Sequence, residues 1–306
     1  MVAYLQYLII RGFSFFINLL PEDFSLWLGR QLGRLAFYLD REHQTVALEN
    51  LHIAFGQEKS EREIYAIAKR TFQNLGMTAI EFFRIPRMDV ETFRKKVEVE
   101  GRENLDESLG KKRGGFLLIS HFGNWELMGF MSKLLQNPVA VIARPLKKNR
   151  WVDRMVFEIR KAAGLEVIPV EKASSKVIRA LSQNRLVGIL IDQRAKRSEG
   201  IGVDFFGKKA STTPALAVLA MRTGAPILPV FMIRNGYRKH RLIFKEALQL
   251  IDTGDIKKDV EANTQLINNT LESMIRQYPD QWFWVHRRWE RKKRAHQTRH
   301  RARPLR

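Results

Sequence analysis

The chain has 306 residues, 45% of them hydrophobic, with 53 Lys and Arg against 32 Asp and Glu and no cysteine. That length supports one large domain or a domain plus an appendage, while the absent cysteines exclude disulfides, thiolate nucleophiles and cysteine-based zinc sites. A net charge of +21 calls for an anionic counterpart, whether nucleic acid, an anionic bilayer surface or an acidic protein.

Residues 1 to 20 are mostly apolar, carrying Leu5, Leu8, Ile9, Phe13, Phe16 and Leu19, interrupted by Gln6, Arg11 and Asn18 and ended by Pro21. The run is barely long enough to span hydrocarbon, and Arg11 at its middle is costly there. A cleaved signal peptide is not expected, because a basic start and a small-x-small cleavage site are both missing. The pattern predicts an interfacial helix lying among the lipid headgroups, with a core helix of a helical subdomain as the alternative. Residues 22 to 85 read as further helices, the last opened by a Ser60–Glu63 capping box and closed at Pro86. Residues 1–90 thus form a helical segment with a membrane-associating helix at 1–20.

From about residue 97 the texture changes. Apolar runs at 114–120, 139–143, 165–170, 186–191 and 225–233 alternate with helical patterns near 124–136, 150–162, 174–184 and 213–222. The alternation predicts an α/β domain over 91–290, a mixed and largely parallel sheet flanked by helices. A last helix near 260–278 leads into Tyr278-Pro279-Asp280-Gln281-Trp282-Phe283-Trp284. Residues 291–306 form a basic tail expected to be disordered and suited to anionic headgroups. No phosphate-binding glycine loop, dinucleotide fingerprint or His-Glu-x-x-His occurs. Nor does any helix-turn-helix, zinc-finger or stacking-aromatic motif, so no nucleic-acid partner is expected.

The run His121-Phe122-Gly123-Asn124-Trp125-Glu126 follows the apolar strand 114–120. Asn124 is a good N-cap for the helix beyond it, which leaves His121 in a loop and Glu126 in the first helical turn. With the chain reversing between them, Glu126 can fold back onto an imidazole nitrogen, fix its tautomer and stabilise the imidazolium as His121 takes a proton. The alternative is a histidine that merely caps the strand, with Glu126 placed by the helix dipole.

These blocks, in this order, resemble the bacterial lipid A biosynthesis acyltransferases, the lauroyl- and myristoyl-type late acyltransferases of the lysophospholipid acyltransferase superfamily. The other matching blocks are Ala143-Arg144-Pro145-Leu146-Lys147-Lys148-Asn149, Ile191-Asp192-Gln193 with Val203 to Ala210, Ala225 to Val230, and Tyr278 to Arg288. The resemblance implies a glycerol-3-phosphate acyltransferase-like fold with His121 as general base and Glu126 as its orienting carboxylate. Arg144 and the backbone amide of Gly123 become donors to the oxyanion, Arg144 being alternatively a phosphate-binding or surface-pairing residue. Asn124 joins the substrate-binding loop. Asp192 and Gln193 become ligands of sugar hydroxyls or supports for Arg144, with a rim salt bridge as the plainer role for Asp192. Phe205, Phe206 and Gly207 shape the acyl or acceptor cleft, unless the two phenylalanines are core packing. Trp282 and Trp284 suit a membrane interface or the core.

The implied reaction is acyl transfer from an acyl carrier protein thioester, or from acyl-CoA, to a hydroxyl of a phosphorylated glycolipid. It needs no metal and no cofactor. The implied place is the cytoplasmic face of the bacterial inner membrane, against an anionic lipid surface. The same motif also resembles acyltransferases of mannosylated phosphatidylinositol, which more often carry Asp where Glu126 stands.

Overall fold

Four helices lead the chain: α1 (Val2–Leu19), α2 (Glu22–Leu39), α3 (Arg41–Phe55) and α4 (Glu61–Arg84). The computed structural model describes residues 1–145, 149–170 and 173–290. The expected tail at 291–306 and Leu146-Lys147-Lys148 of the second block lie outside the described residues. α4 starts as expected: the Ser60 side chain accepts from the Glu63 amide, and Glu63 accepts in return from the Ser60 amide at 2.9 Å. α2 and α4 approach backbone to backbone. A Cβ at Gly76 would stand 2.1 Å from the Gly29 carbonyl oxygen, so only glycine permits this contact.

The rest alternates strand and helix. In chain order it runs α5 (Val90–Lys96), β1 (Val97–Glu100), α6 (Arg102–Gly110), β2 (Gly115–Ile119), α7 (Met131–Leu135), β3 (Val139–Ala143), α8 (Arg150–Ala162) and β4 (Glu166–Pro169). It continues with α9 (Ala173–Ser182), β5 (Leu186–Leu190), β6 (Ile201–Phe205), β7 (Lys208–Thr212), α10 (Ala215–Thr223), β8 (Ile227–Asn235), β9 (Lys239–Phe244) and α11 (Ile256–Gln277). Seven strands form one sheet in the order β1-β9-β8-β2-β5-β3-β4. From β8 to β4 all neighbours are parallel, whereas β9 runs antiparallel to β8 and carries β1 parallel to itself. All five residues of β2 are buried, as a strand covered on both faces requires. The fold is therefore the α/β class expected, a largely parallel sheet flanked by helices. Strands β6 and β7 form a separate hairpin.

The continuous helix expected at 124–136 is not present. In its place a 3-10 turn at Leu127–Phe130 passes into the short α7. The Asn124 amide nitrogen donates to the Met232 carbonyl (3.0 Å) and Gly123 bridges to the same residue, which ties the loop to β8. Residues 123 and 124 are thus held against β8 and are not free to open a helix. One hydrophobic core joins the two halves of the molecule, with Phe37, Leu51 and Phe55 in the same cluster as Phe116, Phe231 and Trp284. Among the described residues α1 is the one helix long and apolar enough to cross a membrane. Its Leu5, Ile9, Phe15 and Leu19 are exposed, while Ile17 is fully buried.

Candidate active site

Strands β2 and β5 are parallel neighbours whose register pairs Ile119 with Leu190. Two residues beyond each partner stand His121 and Asp192, so the register itself brings them together at the carboxyl end of the sheet, where open α/β folds hold their ligands. Asp192 takes both donors of His121: the ring Nδ1 donates to Oδ1 at 2.9 Å and the backbone amide to Oδ2 at 2.9 Å. The Trp282 indole donates to the same Oδ2 at 2.9 Å. With Nδ1 on the carboxylate, the hydrogen-bond pattern assigns the lone pair to Nε2. Trp125 and Phe283 flank the ring, with centroids 5.3 and 5.6 Å away.

Burial opposes the charged imidazolium, but the charge of Asp192 and its hydrogen bond outweigh it, so the His121 pKa is raised above the ordinary histidine value. Burial likewise opposes the Asp192 carboxylate. Its interactions with His121 and Trp282 outweigh that and hold the group below the usual carboxylate range. The pair can take a proton at Nε2 and stabilise the resulting charge, which is the chemistry a hydroxyl nucleophile requires.

The contact expected between Glu126 and the imidazole is corrected. Both Glu126 oxygens are held by Arg160 of α8, at 3.0 Å from Nε and 2.6 Å from Nη2. The first turn after the loop points this carboxylate toward α8 rather than back to β2. Its charge still contributes to raising the His121 pKa, behind that of Asp192. Asp192, expected on sugar hydroxyls or on Arg144, is 2% exposed and engaged with His121 and Trp282 instead.

The Gly123 amide is also corrected as an oxyanion donor, because it donates to the Gln281 carbonyl at 2.7 Å. Gly123 has φ +56°, and a Cβ there would lie 1.8 Å from the Met232 carbonyl oxygen. Asn124 is fully buried and so touches no substrate. Its Nδ2 donates to Glu81 at 2.7 Å and its Oδ1 accepts from the Leu127 amide at 3.0 Å. The capping role expected of Asn124 is thus present, on a shorter turn. Glu81 is in turn bonded to Arg234 on β8, and His240 on β9 stands 3.4 Å from it. Burial opposes the Glu81 charge, but Arg234 and His240 prevail and hold its pKa far below the usual range. Glu81, Arg234 and His240 come from α4, β8 and β9, and no local motif announces them.

Gln193 is exposed beside the reaction centre, its amide nitrogen 3.5 Å from His121 Nε2. The next amide, of Arg194, donates to His286 Nε2 at 3.1 Å and pins this segment. Arg144 pairs with Glu199 at 3.0 Å on an exposed rim, the surface-pairing alternative. Phe205, Phe206 and Gly207 do not shape the cleft. Phe206 and Gly207, with φ +53° and +67°, make the two-residue turn of the β6–β7 hairpin. Phe205 and Phe206 are buried in an aromatic cluster with Trp282, Trp284 and Trp289. Trp282 and Trp284 are 2% and 0% exposed, so they belong to the core and not to a lipid interface.

A cavity of about 950 Å³ opens at His121, and Glu126, Arg160 and Gln193 also line it. Its walls are largely apolar, with Ile119, Val141, Leu165, Ile178, Ile189 and Leu219. Exposed Arg144, Arg194, Lys196 and Arg222 add a cationic edge. An acyl chain fits such walls and an anionic group such an edge.

Comparison with known proteins gives a consistent result. Residues 1–291 match the model of a family described as bacterial lipid A biosynthesis acyltransferase. The chain is 31% identical over 215 residues to the phosphatidylinositol mannoside acyltransferase of Mycolicibacterium smegmatis, covering 68% of this chain and 67% of that one. It is 27% identical over 273 residues to the lipid A biosynthesis palmitoleoyltransferase of Escherichia coli, with 89% and 86% covered. To the lauroyltransferase of the same organism it is 26% identical over 283 residues, with 91% and 89% covered.

Proposed function

The chain belongs to the bacterial lipid A biosynthesis acyltransferase family, and from that membership we propose that it moves a fatty acyl chain from an acyl carrier protein thioester to a hydroxyl of a lipid A precursor at the membrane. The observation that carries this reading is His121, backed by a buried carboxylate at the mouth of an apolar cavity with a cationic edge. Nε2 of His121 takes the hydroxyl proton as the oxygen attacks the thioester carbonyl. The new C–O bond forms, the C–S bond breaks, and the leaving thiolate recovers the proton from the imidazolium. Asp192 holds the ring in the tautomer that leaves Nε2 free. Glu126 and Arg160 fix α8 against the site, and Gln193 orients the acceptor hydroxyl. The edge cations Arg144, Arg194, Lys196 and Arg222 meet the acceptor phosphates and the acidic carrier. α1 seats the enzyme on the cytoplasmic face of the inner membrane, with its exposed apolar side among the lipids.

The identity to the mannoside acyltransferase supports a second reading, in which the acceptor is a mannosylated phosphatidylinositol and the donor an acyl-CoA. The test offers purified protein in detergent both acceptors and a panel of carrier-protein and CoA thioesters, and reads lipid products by mass. One added acyl mass on the lipid A precursor, absent with His121→Ala, is the expected result. Acylation of the mannolipid alone transfers the assignment to the second reading, and no product from either lipid sinks both.

A further inference from the structure

Beside the catalytic cavity lies a second pocket of about 360 Å³, set between α1, the end of α4 and α8. Every residue lining it is apolar, including Ile9 and Phe13 of α1, Phe83 of α4 and Val152 of α8. α8 divides the two spaces. Val152, Met155, Val156 and Ile159, at helical spacings i, i+3, i+4 and i+7, face the small pocket. Asp153, Val156 and Arg160 face the catalytic cavity. Val156 and, from α4, Phe82 line both. The small pocket also reaches the surface, since Ile9 lines it and is 63% exposed. It therefore lies between the outer apolar side of α1 and the chamber that holds His121, with Phe82 and Val156 as the common wall.

We infer that this pocket is a lipid-chain subsite that takes a pre-existing acyl chain of the acceptor and so presents the acceptor hydroxyl to His121. The inference rests on the glycolipid-acceptor reading above and adds to it the residues that grip the acceptor. Two features assign the pocket to acceptor rather than donor. It opens beside exposed Leu5, Ile9 and Phe16, the side from which a lipid arrives. The larger cavity, which opens at His121, has apolar walls of its own for the donor chain. The common wall of Phe82 and Val156 sets the two chains side by side next to one reaction centre. An acceptor chain here is bound by burial of its methylenes, so its length and presence set KM more than kcat.

Two measurements on the full-length protein test this. In the first, a phosphorylated diglucosamine glycolipid with a diazirine near the end of one acyl chain is bound without donor and irradiated. Labelled peptides are then mapped by mass. Label on the α1 segment 9–13 or the α8 segment 152–159, lost with Val152→Trp, is expected; label on β3 or β5 of the large cavity, or on neither, overturns the assignment. The same diazirine chain on a mannosylated phosphatidylinositol is irradiated in parallel, so label at these segments from that lipid alone moves the acceptor assignment and leaves the subsite in place. In the second, Val152→Trp fills the pocket and should raise the acceptor KM about tenfold or more, leaving the donor KM and the unfolding midpoint unchanged. Phe13→Ala opens the same pocket and should move the preferred acceptor chain to a longer one. A raised donor KM with unchanged acceptor KM gives the pocket to the donor and overturns the proposal, as does unchanged acceptor preference in both variants.

Discussion

At His121 the decisive partner lies 71 residues away. Asp192 holds Nδ1 and the backbone amide together, so replacing it removes orientation and charge at once. Asp192→Asn is expected to lower kcat by about 10²-fold or more in the transfer assay. Gly123 is the second residue whose substitution is decisive. Its positive φ and the Met232 carbonyl 1.8 Å from any Cβ leave no room for a side chain. Gly123→Ala should cost about 2–4 kcal/mol in denaturant unfolding and displace His121 with it. The sequence displays His121 because an imidazole after an apolar strand, followed by Gly, Asn and Glu, is a local pattern. It does not display the pairing with Asp192, which depends on β2 and β5 being neighbours. Glu126 is near in sequence but spatially committed to Arg160, and nothing local announces Arg160 as its partner.

At the scale of elements, the loop that carries His121 rests on α4, β8 and β9 through Asn124, Glu81, Arg234 and His240. Removing one member of such a buried set leaves the other charge without compensation. Glu81→Ala should lower stability by about 3–5 kcal/mol, read as a shifted denaturation midpoint, and adding Arg234→Met to it should restore much of that loss. Strands β2, β3, β5 and β8 were legible because each is a continuous apolar run. β1 does not stand out because Val-Glu-Val-Glu reads as an exposed strip, nor does β9, because Lys239, His240 and Arg241 break its apolar pattern. Both lie on the antiparallel side of the sheet, where only part of each strand is buried. The helix expected at 124–136 failed for a tertiary reason, its first residues being tied to β8.

Over the whole molecule, apolar side chains of α1 and α2 remain uncovered: Leu5, Ile9, Phe15, Phe16 and Leu19 on the first, Phe24, Trp27 and Leu35 on the second. With a net charge of +21, such a surface suits the proposed seating on an anionic bilayer. Leu5→Glu with Phe16→Glu should weaken co-flotation with anionic vesicles by about tenfold or more, leaving the unfolding midpoint in detergent in place. Binding should also fall as salt rises, since the charge contribution is screened. The uncovered face of α1 was legible from its composition. The sequence leaves Trp282 and Trp284 open between membrane interface and core, because an aromatic run looks the same whether lipid or the core covers it. Here Asp192 and Phe205 cover it.

The measurement that tests the account most directly is the pH dependence of kcat/KM for acyl transfer by the wild type, Asp192→Asn and Glu126→Gln. His121 must be neutral to accept a proton, so the rate should rise with pH through its pKa, which Asp192 raises above the ordinary histidine value against the opposing effect of burial. Asp192→Asn removes the main interaction that raises this pKa and leaves burial, which lowers it. The limb should then move to lower pH while the maximal rate falls. Glu126→Gln should move it less. A limb unmoved by Asp192→Asn but displaced by Glu126→Gln would contradict the pairing of His121 with Asp192.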